Sequence, residues 1–365
     1  MQRRISALNL LFLCGICLLF SSFDTKDDKA SVFDRPYVQV TPPGLSSQTA
    51  YSLLRDPNGF IWVSTRNGID RFDGIAYRHY TLGTTQMRTM RSGLTISIYC
   101  DEDGRIWAYT ERSDIYCFDP VADAFVEVIY LPDYQIWGSA QALYCAGDLL
   151  VIGATDGITC YDIPTKTITK RLCPDDDIHF FYSFRDNELL FGARRGIGIL
   201  DMKDLRGTLQ SWVKCDVKTM YYDKNSQQLW VGSNGNGLFI LDPAHPKKVQ
   251  QVEKTNGMIV CDIKPFNEHE MLIACDGNGV LALPIENAGT NTEIRSLASA
   301  SGNAPFNLRT SGVRSLLVDK SNIWIATYMG GVSCLQPGSK LSSLNAPHRK
   351  NESDNFAFSV ERKET

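Results

Sequence analysis

The sequence predicts an all-β fold, a seven-bladed β-propeller of four-stranded antiparallel blades. Three observations predict it. First, the stretch Asp56-Pro57-Asn58-Gly59-Phe60-Ile61-Trp62-Val63-Ser64-Thr65-Arg66-Asn67-Gly68-Ile69-Asp70-Arg71-Phe72-Asp73-Gly74 recurs along the chain. Its Trp position returns as Trp62, Trp107, Val151, Leu190, Trp230, Leu272 and Trp324, at intervals of 45, 44, 39, 40, 42 and 52 residues. Second, each copy holds about four short apolar stretches separated by turns, the size of one propeller blade. Third, 28 Gly, 15 Pro and many aromatic residues favour strands and tight turns over long helices.

Taken in order, residues 1–30 have Arg3 and Arg4, an apolar run from Leu8 to Phe20, and a charged stretch from Asp24 to Lys29. That layout predicts a secretory signal, with an uncleaved anchor as the alternative because no clear small-x-small cleavage pair precedes Asp24. The propeller is expected over residues 33–345. A strand at Tyr37–Val40 precedes the first repeat and is expected to pair with the seventh blade, closing the ring. In the first repeat the strands are Tyr51 to Leu54, Phe60 to Thr65, Ile69 to Phe72 and Tyr77 to Tyr80. A Gly opens the third strand in six of the seven repeats (Gly68, Gly157, Gly196, Gly237, Gly279, Gly331), supplying the positive φ of a tight hairpin. An Asp ends that strand in five repeats (Asp73, Asp119, Asp162, Asp201, Asp242) and can accept hydrogen bonds from the following turn. Apolar strands without alternation, such as Leu229-Trp230-Val231, fit sheets covered on both faces. Residues 346–365 read as a linker and the opening strand of an eighth repeat, so the expectation is a truncated chain.

Charge excludes one class of partner. With 37 Lys and Arg against 41 Asp and Glu the net charge is −4, which gives no electrostatic case for nucleic acid. Nine of the 11 Cys lie beyond the N-terminal segment. Their repeated positions suggest small buried hydrophobes, with one or two disulfides as the alternative. The five His show no metal-ligand spacing, and the glycine-rich turns lie between two strands rather than before a helix. No metal or cofactor is expected, and no catalytic residue stands out.

The pattern Gly44-Leu45-Ser46-Ser47, followed by Asp56-x-x-Gly59-Phe60-Ile61-Trp62-Val63-Ser64-Thr65-x-x-Gly68-Ile69-x-Arg71-Phe72-Asp73-Gly74, resembles the two-component regulator propeller repeat. The first, second, fifth and seventh repeats match well; the third, fourth and sixth lack the Trp. The resemblance implies the periplasmic sensor region of a bacterial hybrid two-component system, where such propellers precede a membrane helix and a kinase. No kinase or receiver follows in this sequence. The implied function is non-catalytic binding of a glycan-derived oligosaccharide outside the cytoplasmic membrane.

Strand direction locates the candidate binding face. In an up-and-down blade the turn between strands two and three shares a face with the connector between blades, and such loops carry function. That face supplies Arg66, Asn67, Arg112, Tyr134, Trp137, Arg194, Arg195, Trp212, Asn234, Asn236, Asp276, Asn278 and Tyr328 as candidates, with Glu111 beside Arg112. Their polar groups suit hydroxyls and carboxylates, and their aromatics suit a sugar face. Adjacent Arg194 and Arg195 would suit an acidic sugar or a carboxylate partner. Trp137 and Trp212 are equally compatible with burial between blades. Two other functional classes stay open: a secreted polysaccharide lyase or glycosidase, and a scaffold for a homodimer or for further receptor domains. Membrane contact is expected only through the N-terminal segment.

Overall fold

A computed structural model describes residues 30–338 apart from 83–95, 174, 211, 287 and 289–291. Residues 1–29 and 346–365, on which the signal and the eighth-repeat expectations fall, lie outside the described residues. Seven antiparallel sheets follow one another as the blades of a propeller. Blades 1 to 6 span residues 50–80, 96–130, 140–172, 178–210, 217–251 and 259–299. Blade 7 combines strands from residues 313–337 with Tyr37–Val40, which runs antiparallel to Gly331–Pro337 in the expected closure. One addition was not foreseen. A short strand, Phe306–Asn307, joins blade 6 in parallel to Arg295–Ser299, and the loop that carries it lengthens the interval between Leu272 and Trp324.

The repeated residues are architecture. Asp56 accepts the Phe60 amide through Oδ1 at 2.9 Å and the Trp62 indole N–H through Oδ2 at 2.8 Å. Asp101 does the same in blade 2, taking the Arg105 amide at 2.8 Å and the Trp107 indole at 2.9 Å. One carboxylate therefore fixes the turn between strands one and two and satisfies an indole buried between blades. Where Val151, Leu190 or Leu272 replaces Trp, the side chain is equally buried and needs no partner.

The hairpin glycines answer two constraints at once. Gly68 has φ 140°, and a Cβ there would lie 2.4 Å from the Tyr80 carbonyl oxygen. Gly196 repeats this, with φ 137° and the Val213 carbonyl at 2.3 Å. The fourth strand or the connector after it packs directly on the hairpin, so no side chain fits. The strand-ending Asp residues accept turn amides as expected: Asp73 binds the amides of Ile75 and Ala76 at 2.8 Å each. Backbone N–H donors hold the Asp73 and Asp201 carboxyls below the usual carboxylate range. A carboxyl with a depressed folded pKa stabilises fully above its ordinary value of 3.8 and loses that contribution as pH falls through the lower folded value.

Each innermost strand has a free edge toward the propeller axis, which leaves backbone amides without sheet partners. Neighbouring blades supply some of them. Leu53 N donates to Ser315 Oγ at 3.2 Å, Ile98 N to Ser52 Oγ at 3.2 Å, and Leu316 N to Asp262 Oδ2 at 2.9 Å. Side chains of one blade thus tie the inner strand of the next.

All nine described Cys are free thiols, and Cys145, Cys160, Cys275 and Cys334 are buried. Burial pushes the Cys117 and Cys160 thiols up to about 11.

The Asp56–Trp62 bond has a measurable weight. Asp56→Ala leaves the buried indole N–H unpaired and is expected to destabilise by about 1–3 kcal/mol, read as a lower urea midpoint. The double variant Asp56→Ala/Trp62→Phe is expected to recover part of that loss. Equal or larger destabilisation by the double variant would show that the indole bond contributes little.

Candidate functional site

Side chains of a regular innermost strand point toward the two neighbouring blades, not toward the axis. A β-bulge changes this, because an extra residue breaks the alternation and redirects its side chain. In six blades the register between strands one and two shifts by one residue at the same place: between Ala50 and Ser52, Ala140 and Ala142, Ile178 and Phe180, Val217 and Thr219, Val260 and Asp262, and Val313 and Ser315. The extra residues are Tyr51, Gln141, His179, Lys218, Cys261 and Arg314. Blade 2 has a continuous register and places Ser97 opposite Tyr109.

These seven residues converge. A cavity of 690 Å³ is lined by Tyr51, Ser97, Lys218, Cys261 and Arg314, together with Arg66, Glu111, Asn234, Asp276 and Tyr328 from the turns between strands two and three. A second cavity of 480 Å³ shares Ser97, Glu111 and Lys218 with it and continues past Tyr109, Gln141, Thr155 and His179. Together they form one axial cleft, to which every blade contributes its bulge residue or, in blade 2, Ser97. The bulge-less blade 2 leaves only a small hydroxyl where the two cavities meet. Turn and strand are held on one face by bonds such as Arg66 N to Thr49 O at 3.1 Å, Asn234 N to Asp216 O at 2.8 Å and Tyr328 N to Gly312 O at 2.8 Å.

The walls carry ordered polar groups. Arg314 pairs with Asp276 at 3.0 Å and lies over the Tyr328 ring, 5.2 Å from its centroid. On the opposite wall Gln141 Nε2 donates to Asp177 Oδ1 at 2.9 Å, which turns the Gln141 carbonyl toward His179 Nδ1. His179 therefore donates from Nδ1, and its Nε2 lies 2.8 Å from Asp216 Oδ1. Both atoms are buried, and the two are joined by a hydrogen bond when the ring carries a second proton on Nε2. Asp216 Oδ2 accepts from Asn234 Nδ2 at 2.9 Å, completing a belt across blades 3, 4 and 5. Burial, and then the charge of Lys218, depress the His179 pKa; Asp177 and Asp216 oppose them.

Of the residues expected from sequence, Arg66, Asn234, Asp276 and Tyr328 line the cleft, as does Glu111. Others lie elsewhere on the face. Asn67 Nδ2 donates to Ser46 O at 2.7 Å and fastens the connector into blade 1. Asn236 accepts from Gln251 through its carbonyl at 2.9 Å, and Arg112 anchors its turn through its amide to Thr110 Oγ1 at 3.2 Å. Arg194 and Arg195 are exposed on the turn rather than in the cleft, and Arg195 is paired to Asp176 at 2.6 Å. Asn278 is an exposed turn residue. Trp212 packs into the apolar layer between blades 4 and 5, whereas Trp137 is 77% exposed on the connector into blade 3. Tyr134 donates its hydroxyl to Lys166 O at 3.0 Å. The bulge residues were missed because they read as strand. Their signal was present: after a uniformly small or branched residue (Ala50, Ile96, Ala140, Ile178, Val217, Val260, Val313), the next position is different in every repeat.

Residues 44–67 match the family model described as two component regulator propeller. They form one such repeat. Within it Ser46 bonds Asp70 Oδ2 through its amide at 3.0 Å and its hydroxyl at 2.6 Å, so the family's Gly-Leu-Ser-Ser segment holds the connector into blade 1. Comparison with curated proteins by sequence gives no match. Among solved structures, the fold is similar to the extracellular domain described as that of a hybrid two component system, BT3049, from B. thetaiotaomicron. The TM-score is 0.67 at 22% identity, covering 83% of this chain and 42% of that one. The extracellular domain of BT4673 from the same organism gives 0.65 at 17% identity, covering 84% of this chain and 40% of that one. The computationally designed protein Ika8 gives 0.54 at 13% identity, with 97% of that chain covered. This chain thus spans less than half of each of the two natural domains. The matched segment lies in blade 1, and the residues that differ from blade to blade line the axis of the ring.

The charge of Lys218 bears directly on His179. Lys218→Met is expected to raise the His179 pKa toward the ordinary 6.5, followed by NMR titration of the imidazole carbons. Because the folded value is depressed, the linked stability is complete above 6.5 and declines as pH falls, and the variant is expected to shrink that decline. An unchanged titration would place Lys218 too far away to act.

Proposed function

We propose that this chain is the ligand-sensing propeller of an extracytoplasmic two-component receptor, and that it binds a glycan-derived oligosaccharide in the axial cleft without catalysing a reaction. One observation carries the proposal: a structural device repeated in six blades delivers a different side chain from each to a single cleft. A channel needed only for packing gains nothing from six bulges that turn Tyr51, Gln141, His179, Lys218, Cys261 and Arg314 inward. Such variety suits a ligand with many distinct hydroxyl directions, and Tyr51 and Tyr328 add aromatic faces. The two joined cavities favour an elongated ligand over a monosaccharide.

Binding is favoured over catalysis by the ionic arrangement. Asp276, one of two carboxylates lining the larger cavity, is tied to Arg314 at 3.0 Å, which ill suits a proton-transferring role at neutral pH. The extracytoplasmic setting is supported by the apolar N-terminal run and by the extracellular placement of the similar domains.

The test is thermal unfolding and calorimetry of the purified protein against a panel of neutral and acidic oligosaccharides. A ligand at a hundred times its Kd is expected to add about 2.7 kcal/mol to stability, a Tm rise of a few degrees. Absence of any shift across the panel, in a folded sample, would favour the scaffold. Steady release of shorter sugars from the panel would favour the enzyme.

A further inference from the structure

The cleft carries an imbalance of charge that its own residues do not resolve. Its larger cavity is lined by three cations, Arg66, Lys218 and Arg314, and two carboxylates, Glu111 and Asp276, although the chain as a whole has a net charge of −4. Arg314 is already engaged by Asp276 at 3.0 Å. Among the described residues, neither Arg66 nor Lys218 has a carboxylate within ion-pair distance, and of the two carboxylates lining the cavity only Glu111 is free of Arg314. Arg66 is exposed on its turn, but Lys218 is half-buried, and holding its charge there without a counter-charge is unfavourable where a neutral side chain of similar length would avoid it.

Resting on the cleft as the ligand site, we propose that the ligand bears a carboxylate, as in a uronate-containing oligosaccharide, and that Arg66 and Lys218 hold that carboxylate. Arg66 offers the planar fork that matches a carboxylate, and Lys218 a point charge from the opposite part of the ring. Lys218 borders both cavities, so the carboxylate sits where they join, with the rest of the chain lying toward Gln141 and Thr155 or toward Tyr51 and Tyr328.

A second group responds to that occupancy. His179 Nε2 and Asp216 Oδ1 face each other at 2.8 Å, both buried, and a proton on Nε2 satisfies both. Around His179 stand Tyr109 and Glu111 from blade 2, Gln141 from blade 3, Asp177 at the entry to its own strand, and Asp216 and Lys218 from blade 5. Lys218 is the cation that opposes the proton. A carboxylate that neutralises Lys218 removes that opposition, while burial still holds the ring below its ordinary 6.5, so binding is accompanied by proton uptake at mildly acidic pH.

The experiment uses the full chain in calorimetry with oligouronates from pectin and alginate, and with the same oligouronates after chemical reduction of their carboxyls to neutral sugars. The expected result is that the acidic form binds and the reduced form binds at least tenfold more weakly. Lys218→Met and Arg66→Gln are each expected to weaken the acidic form about tenfold while circular dichroism without ligand is unchanged and the ligand-free Tm does not fall. Titration in buffers of different ionisation enthalpy is expected to show proton uptake that Lys218→Met abolishes. Equal binding of acidic and reduced forms, or wild-type affinity in both variants, overturns the proposal. Binding of neutral oligosaccharides alone overturns it while leaving the sensing function intact; binding of none overturns both.

Discussion

The structure depends on closure of a ring by the two ends of its own chain. Tyr37–Val40 completes the sheet of blade 7 as its outermost strand, and without it that blade would have three strands and Gly331–Pro337 would lose its partner. Further contacts converge on the same seam. Phe72 of blade 1 packs edge-on against Trp324 of blade 7 at 5.6 Å, and Arg55 pairs with Asp319 at 3.3 Å. Gly331 N donates to Gln48 O at 2.7 Å. The inserted strand of blade 6 adds its own bonds, Gln39 Nε2 to Asn307 O at 2.9 Å and the Tyr37 ring against Phe306. Before them, the buried Glu270 accepts the Val32 amide at 2.8 Å and meets Arg295 at 3.1 Å, clamping the chain where it enters the propeller. The cleft exists only because this seam holds, since Tyr51 and Arg314 lie on its two sides.

Repetition and variation are divided between different atoms of the same strands. The positions that repeat, Asp56, Trp62, Gly68 and Asp73 in blade 1, satisfy turns and fill the space between blades. In six blades the positions that vary are turned toward the axis by bulges, although Cys261 still touches the apolar layer between blades 6 and 7. Substitution at Lys218 or Cys261 alters the axis, whereas Val217 and Val260 next to them are wholly buried. That separation gives one architecture many possible recognition surfaces.

Much of the fold was legible because each repeated residue answers a local demand. A Gly whose Cβ would strike a carbonyl, an Asp that caps a turn and a Trp beside it are all visible as spacing. The missing Trp in blades 3, 4 and 6 did not hide them, since Val151, Leu190 and Leu272 occupy the same buried place. The site was legible only in part. Turn residues such as Arg66 and Asp276 could be placed by strand direction, but a bulge has no signature in a single strand, where the extra residue looks like one more step in the alternation. It appears only when the repeats are compared position by position. Arg194 and Arg195 lie outside the cleft. Their adjacency suggested an anion site, but Arg195 turns to Asp176, a partner 19 residues earlier that spacing alone does not reveal.

The central claim, that bulge side chains around the axis form the recognition surface, is tested most directly by a crystal structure of the protein with the oligosaccharide that binds it tightest. The account predicts density in the axial cleft, within hydrogen-bond distance of Lys218 and Arg66 and in contact with the Tyr51 or Tyr328 ring. Ligand seated on the rim at Arg194 and Trp137, or on the opposite face, with the cleft filled only by water, would contradict it.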